Sequence, residues 1–178
     1  LGKYVDVIDR HTHTVHTRDG LLFTYDKLVL TTGARPRLPP VPGIRSRTVR
    51  VLRTIADARL LRSDLKPGAK IVIVGAGFIG LEVAAAARQL QAEVVVVDTA
   101  PQLMARVALP DLAVVAQRVH ERHGVAFRLG MGIEALIDVD HSRTLVKLSD
   151  GEALEADIVV VGVGAIPNVE LAQEAGLA

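Results

Sequence analysis

The chain has 178 residues, a formal net charge of +1 and 49% hydrophobic residues, enough to bury a sizeable core in one domain or a little more. The near-zero charge gives no electrostatic footprint for nucleic acid or an anionic membrane, so neither is expected as a partner. The absence of cysteine excludes disulfides, thiolate metal sites and thiol catalysis within the chain, and no apolar stretch approaches the ~20 residues of a membrane span.

The opening Leu1-Gly-Lys3 lacks a starting Met and runs straight into strand-like sequence. With no visible signal peptide, it reads as a piece of a longer, cytoplasmic protein. Residues 4–8, 13–17 and 21–24 are expected as strands. Asp9-Arg-His-Thr12 makes a turn, and Arg18-Asp-Gly20 a hairpin turn. Leu28-Val-Leu-Thr31 reads as one more short buried strand. The next stretch, Thr32-Gly-Ala-Arg-Pro-Arg-Leu-Pro-Pro-Val-Pro-Gly43, holds four prolines and two glycines. That composition excludes helix or central strand and marks a stiff connector ending a first segment, 1–43.

A second domain is expected over 44–165. Thr54 to Leu65 has helical apolar spacing, with Thr54 as N-cap and Asp57 at N3, and Pro67-Gly68 stops it. Ile71 to Val74 is a buried strand. Gly75, Gly77 and Gly80 then give the spacing G-x-G-x-x-G, followed by a helix over 81–90 and a second apolar strand, Val94 to Asp98. The three glycines differ in what they allow. Gly75 permits the tight turn, Gly77 lets backbone approach a pyrophosphate, and Gly80 allows close helix packing. The helix N-terminus offers free N–H groups to the phosphates. Asp98 can accept from a ribose 2′-hydroxyl or simply cap a strand end. As a ribose ligand it repels a 2′-phosphate and selects NAD over NADP, although Arg106 could still reach a phosphate. The helix 81–90 lacks the expected terminal glycine, because Gln91 and Ala92 stand there.

Leu109-Pro-Asp111 starts another helix, whose Leu112, Val115 and Val119 carry helical spacing and which Gly124 closes. Residues 125–129 form a third parallel strand. Residues 133–139, 144–149 and 152–155 form a meander turning at Asp150-Gly151, and 157–163 is the last buried strand. His11, His13 and His16 do not share one strand face, no acid completes a site around them, and His120 and His123 sit at a helix C-terminus; no metal is expected.

Leu30-Thr-Thr-Gly-Ala-Arg-Pro-Arg37, Val51-Leu-Arg-Thr54, the fingerprint through Glu82, Pro101-Gln-Leu-Met-Ala-Arg106 and Val161-Gly-Val-Gly-Ala-Ile-Pro-Asn168, in that order, resemble the flavoprotein NADH:ferredoxin reductases of the putidaredoxin reductase type, in the pyridine nucleotide-disulfide oxidoreductase superfamily. The resemblance implies an α/β fold: a Rossmann-like doubly wound parallel sheet with a β-meander crossover, plus an antiparallel meander piece of an FAD domain. It makes 1–43 a partial FAD-domain segment, 44–165 the NAD(H)-binding domain and 166–178 a return segment toward the FAD domain. It implies hydride transfer from NADH to FAD, then electrons to a ferredoxin-type [2Fe–2S] partner. Carried over by residue, Gly75, Gly77, Phe78, Ile79 and Gly80 hold the NAD pyrophosphate. Asp98, one methylene shorter than the family's usual Glu, holds the ribose, while Thr99 and Arg106 flank the adenosine. Glu82 and Gly164 lie near the nicotinamide, and Thr32, Gly33 and Arg37 touch FAD. For Glu82, electrostatic support of its helix remains the competing reading. An NADH-responsive binding module like apoptosis-inducing factor, or the reductase part of an NADH-dependent nitrite reductase or NADH oxidase, are alternatives.

Overall fold

A computed structural model of the chain describes residues 1–177. The chain divides into two compact units, residues 1–35 with 165–178, and residues 36–164. The division falls inside the Pro-rich connector.

In the first unit, β1 (Val5–Asp9), β2 (Thr14–Thr17) and β3 (Leu22–Thr24) form an antiparallel sheet in sequence order. Gly20, at φ +82°, makes the hairpin turn. The strand expected over 28–31 does not form, and Leu28 and Val29 are 38% and 81% exposed. A strand is held by ladder bonds to a neighbour, and among the described residues none pairs with this segment, so its apolar sequence alone cannot make it one. The connector, in turn, is not wholly irregular: β4 (Ala34–Pro36) pairs with β13 (Ala165–Pro167) in a two-stranded ribbon. Pro36 is tolerated there because such a ribbon is all edge. A short helix, α4 (Glu170–Glu174), follows β13.

The second unit is built on a five-stranded parallel sheet. Its strands are β5 (Val49–Arg50), β6 (Lys70–Val74), β7 (Glu93–Asp98), β8 (Val125–Leu129) and β12 (Ile158–Val161), in the order β5-β12-β6-β7-β8. The inner strands are nearly unbroken Val/Ile runs because both faces are covered. On one face Ile71, Ile73, Val94, Val96 and Val160 pack against helices α1 (Ile55–Asp64), α2 (Phe78–Gln89) and α3 (Pro110–Arg122), chiefly through Leu61, Ala84, Ala87 and Ala113. On the other, Val72, Val74, Val97 and Val159 pack against the antiparallel meander of β9 (Ile133–Asp138), β10 (Thr144–Leu148) and β11 (Ala153–Ala156). The crossover from β8 to β12 is thus itself the second layer over the sheet. No helix among the described residues is long and apolar enough to cross a membrane.

The caps follow the sequence. Thr54 and Asp57 make a reciprocal capping box at the start of α1, Pro110 sits in the first turn of α3, and Gly124, at φ +83°, closes it. α2 ends on a non-glycine residue in the left-handed region, Gln91 at φ +63°. The Ala92 N–H donates to Ala87 O (3.1 Å) and the Gln91 N–H to Arg88 O (3.0 Å), the Schellman pattern that usually recruits glycine. Replacing Gln91 by Gly removes a Cβ clash worth about 1 kcal/mol, and a rise of a few degrees in melting temperature is expected. An unchanged or lower melting temperature would show that the conformation costs nothing here.

The apolar spacing of α3 locates the helix but not its buried face. Leu112, Val115 and Val119 are 57%, 56% and 46% exposed, whereas Ala113 is 1% exposed and carries the packing. A small residue lets the helix axis come close to the sheet, and the bulky stripe turns to its outer flank.

Candidate functional site

The turn between β6 and α2 carries the glycine fingerprint at the C-terminal edge of the parallel sheet. Gly75 adopts φ +112° and donates its N–H to Val97 O at 2.8 Å. A Cβ there would lie 2.5 Å from Gly162 O, and one on Gly80 would lie 1.9 Å from Gly75 O. These two glycines therefore serve backbone packing between β6, β12 and α2. Gly77 is different: a Cβ there would meet nothing within 4 Å. It is the N-cap of α2 and supplies no side-chain cap. No side chain caps the first N–H groups of the helix, and the positive end of the helix dipole stands behind them.

The helix starts at Phe78, three residues earlier than the sequence suggests, because Gly77 leaves the chain free to enter helical geometry at once. Phe78 and Ile79, on the first turn, are 60% and 46% exposed. Glu82 consequently lies in the second turn, not the first. There it gains less from the helix dipole, which acts mainly over the terminal turn. Its exposed side chain has no partner among the described residues.

Asp98 ends β7 beside this turn. One carboxylate oxygen accepts from the Ala76 N–H at 2.6 Å and the other from the Ala100 N–H at 2.8 Å. The carboxylate is therefore fixed rather than free to rotate, yet each oxygen keeps acceptor capacity for a further hydroxyl. Ala76 is pinned from its other side as well, since its carbonyl accepts from the Met104 N–H at 2.9 Å, with Met104 in the left-handed region at φ +50°. The loop 99–109 and the glycine turn thus hold each other. Thr99 and Arg106 are exposed on that loop, Arg106 with no partner among the described residues. Sequence reasoning missed Ala76 and Met104, since both act through backbone groups that any residue type supplies.

Gly162 and Gly164 follow β12. The Gly162 N–H donates to Val74 O at 2.8 Å, drawing this edge against the fingerprint. Gly164 adopts φ +111° with open space where a Cβ would stand, and its carbonyl accepts from the Arg37 N–H at 2.9 Å. The Arg37 side chain is exposed.

Thr32 and Gly33 belong to the first unit, where Asn168 clasps them. The Asn168 side chain donates to Thr32 O at 2.9 Å, its N–H donates to Gly33 O at 3.0 Å, and Thr32 Oγ1 donates to Asn168 O at 2.5 Å. Arg35, which reads as a solvated connector residue, completes the clasp by bonding Asn168 Oδ1 at 2.8 Å and Glu170 at 2.7 Å. The guanidinium holds the Glu170 carboxyl below the ordinary glutamate range. Pro167-Asn168 is visible in the sequence only as part of a motif; its partners lie 133 to 136 residues away.

A parallel sheet with a glycine turn, an uncapped helix N-terminus and a fixed carboxylate at its C-terminal edge defines a Rossmann-like fold of the dinucleotide-binding class. The family profile described as pyridine nucleotide-disulphide oxidoreductase matches residues 1–178, and the chain belongs to that family. It is 44% identical over 99% of its length to the ferredoxin–NAD(+) reductase component of the anthranilate 1,2-dioxygenase system of Burkholderia cepacia, covering 43% of that protein. Among solved structures, the ferredoxin reductase for the CYP199A2 system of Rhodopseudomonas palustris superposes with a TM-score of 0.93 at 40% identity, over 99% of this chain and 44% of that one. The covalent putidaredoxin reductase–putidaredoxin complex gives 0.91 at 38% identity, over 98% and 43%. The chain spans less than half the length of the relatives it matches.

Proposed function

We propose that this chain is the NADH-binding domain, with flanking pieces of the FAD domain, of a flavoprotein oxidoreductase that passes hydride from NADH to FAD and then electrons to a ferredoxin-type [2Fe–2S] acceptor. The observation that carries the reading is the Gly77 turn, whose missing Cβ leaves open space in front of the uncapped N-terminus of α2, with the Asp98 carboxylate fixed beside it. The names of the relatives support it.

When bound, FAD accepts the two electrons of a hydride together and releases them one at a time. The residues of this chain bind and orient. The turn at Gly75, Gly77 and Gly80 and the first N–H groups of α2, at Phe78, Ile79 and Gly80, receive the pyrophosphate. Asp98 accepts from the adenosine ribose, with Thr99 and Arg106 at its side. Glu82 and the Gly164 backbone lie toward the nicotinamide, where Glu82 can accept from a carboxamide and no proton transfer is required of it. Thr32, Gly33 and Arg37 are the proposed FAD contacts, the first two held in shape by Asn168.

Calorimetric titration with NADH and NADPH tests the reading. NADH is expected to bind more tightly, because Asp98 repels a 2′-phosphate; equal affinities would sink the assignment of Asp98. Asp98→Ala is expected to weaken NADH by about 1–3 kcal/mol, the worth of hydrogen bonds to a charged group, and to narrow the gap to NADPH. In the full-length protein, rapid electron transfer to a [2Fe–2S] ferredoxin favours the reductase reading. Turnover with dioxygen alone favours an NADH oxidase, and binding without turnover favours a responsive module.

A further inference from the structure

The outer stripe of α3 exposes Leu112, Val115 and Val119 at 57%, 56% and 46%, and the preceding turn exposes Val107 and Leu109 at 66% and 78%. At 3.6 residues per turn the three helical residues fall within a sector of about 60°, about 100–160° round the helix from the packed Ala113. Their spacing of three and then four is that of a helix-pairing seam. Asp111, Arg118 and Arg122 fall together on the far flank of the stripe, all exposed and without partners among the described residues. The acid stands at the N-terminus of the helix and the two cations toward its C-terminus.

We propose that this stripe takes a second copy of the same chain, with the two α3 helices antiparallel about a two-fold axis near Val115. This arrangement sets Leu112 of one copy against Val119 of the other and leaves Val115 close to its own equivalent. It also brings Asp111 of each copy within a turn of Arg118 and Arg122 of the other and opposes the two helix dipoles. A parallel two-fold arrangement would carry the two charged flanks to opposite sides of the seam, where they could not pair. The charge pattern is thus self-complementary in the antiparallel orientation, as a two-fold interface requires. The 13 residues of α3 span about 20 Å, so the strip falls short of the roughly 800 Å² per partner of a standard interface. The dimer is accordingly weak.

Sedimentation velocity from about 5 to 500 µM tests this. A monomer–dimer equilibrium is expected for the chain, and Val115→Glu should abolish it while leaving the melting temperature and NADH affinity unchanged, since Val115 lies on the surface and outside the cofactor turn. Because the chain has no cysteine, Val115→Cys should cross-link to itself on mild oxidation, whereas Val114→Cys, on the far side of the helix, should not. A monomer at every concentration, association that survives Val115→Glu, or equal cross-linking at both positions would overturn the proposal. So would a longer form of the protein that stays monomeric with its own further residues cross-linked to position 115.

Discussion

Gly77→Val is expected to abolish measurable NADH binding, a loss of at least about a hundredfold or ~3 kcal/mol, while the fold stays intact. A Cβ at position 77 would meet nothing within 4 Å, and Gly77, at φ −82°, needs no left-handed backbone. The added atoms would stand where the proposed pyrophosphate approaches the first N–H groups of α2. Titration of NADH alongside a thermal melt separates the two effects. If the variant melts as the parent does but still binds NADH, the phosphate site lies elsewhere and the proposed function fails with it. If it unfolds, the open space is not open in solution.

The opposite pattern is expected two residues earlier. Gly75→Ala introduces a Cβ 2.5 Å from Gly162 O at a residue with φ +112°. The left-handed strain costs about 1–2 kcal/mol, and forced separation of tightly packed backbone costs about 1–3 kcal/mol more. A loss of roughly 3 kcal/mol, or about 10 °C in melting temperature for a chain this size, should therefore precede any effect on the cofactor. Chemical denaturation of the variant measures it, and a loss below about 1 kcal/mol would mean that β6 and β12 part easily. The two glycines look alike in the motif; one faces open space and the other backbone.

Much of this site was legible beforehand because spacing carries it. A strand, three glycines, a helix and a second strand ending in an acid are all local in sequence, and each maps to one place in a βαβ unit. The fixed position of Asp98 was not legible. It depends on the Ala76 and Ala100 amides and, through Ala76, on Met104, and backbone groups leave no mark in residue type. The Asn168 clasp was hidden for a different reason: its partners in the first unit lie 133 to 136 residues away, and no periodicity spans such a distance.

The failures have the same root. Leu28 to Thr31 has strand composition but no neighbour to bond to, and Leu112, Val115 and Val119 have core spacing on a helix whose small Ala113 does the packing. By itself the sequence determined most of the helices, strands and turns, where the glycine turn sits and which acid ends its βαβ unit, because propensity, capping and hydrophobic period are local. Only the tertiary structure decided which glycine faces open space and which faces backbone, how firmly Asp98 is held, and which side of α3 is buried. Those outcomes depend on how closely distant segments approach, which is set by side-chain volume and long-range hydrogen bonds and not by local pattern.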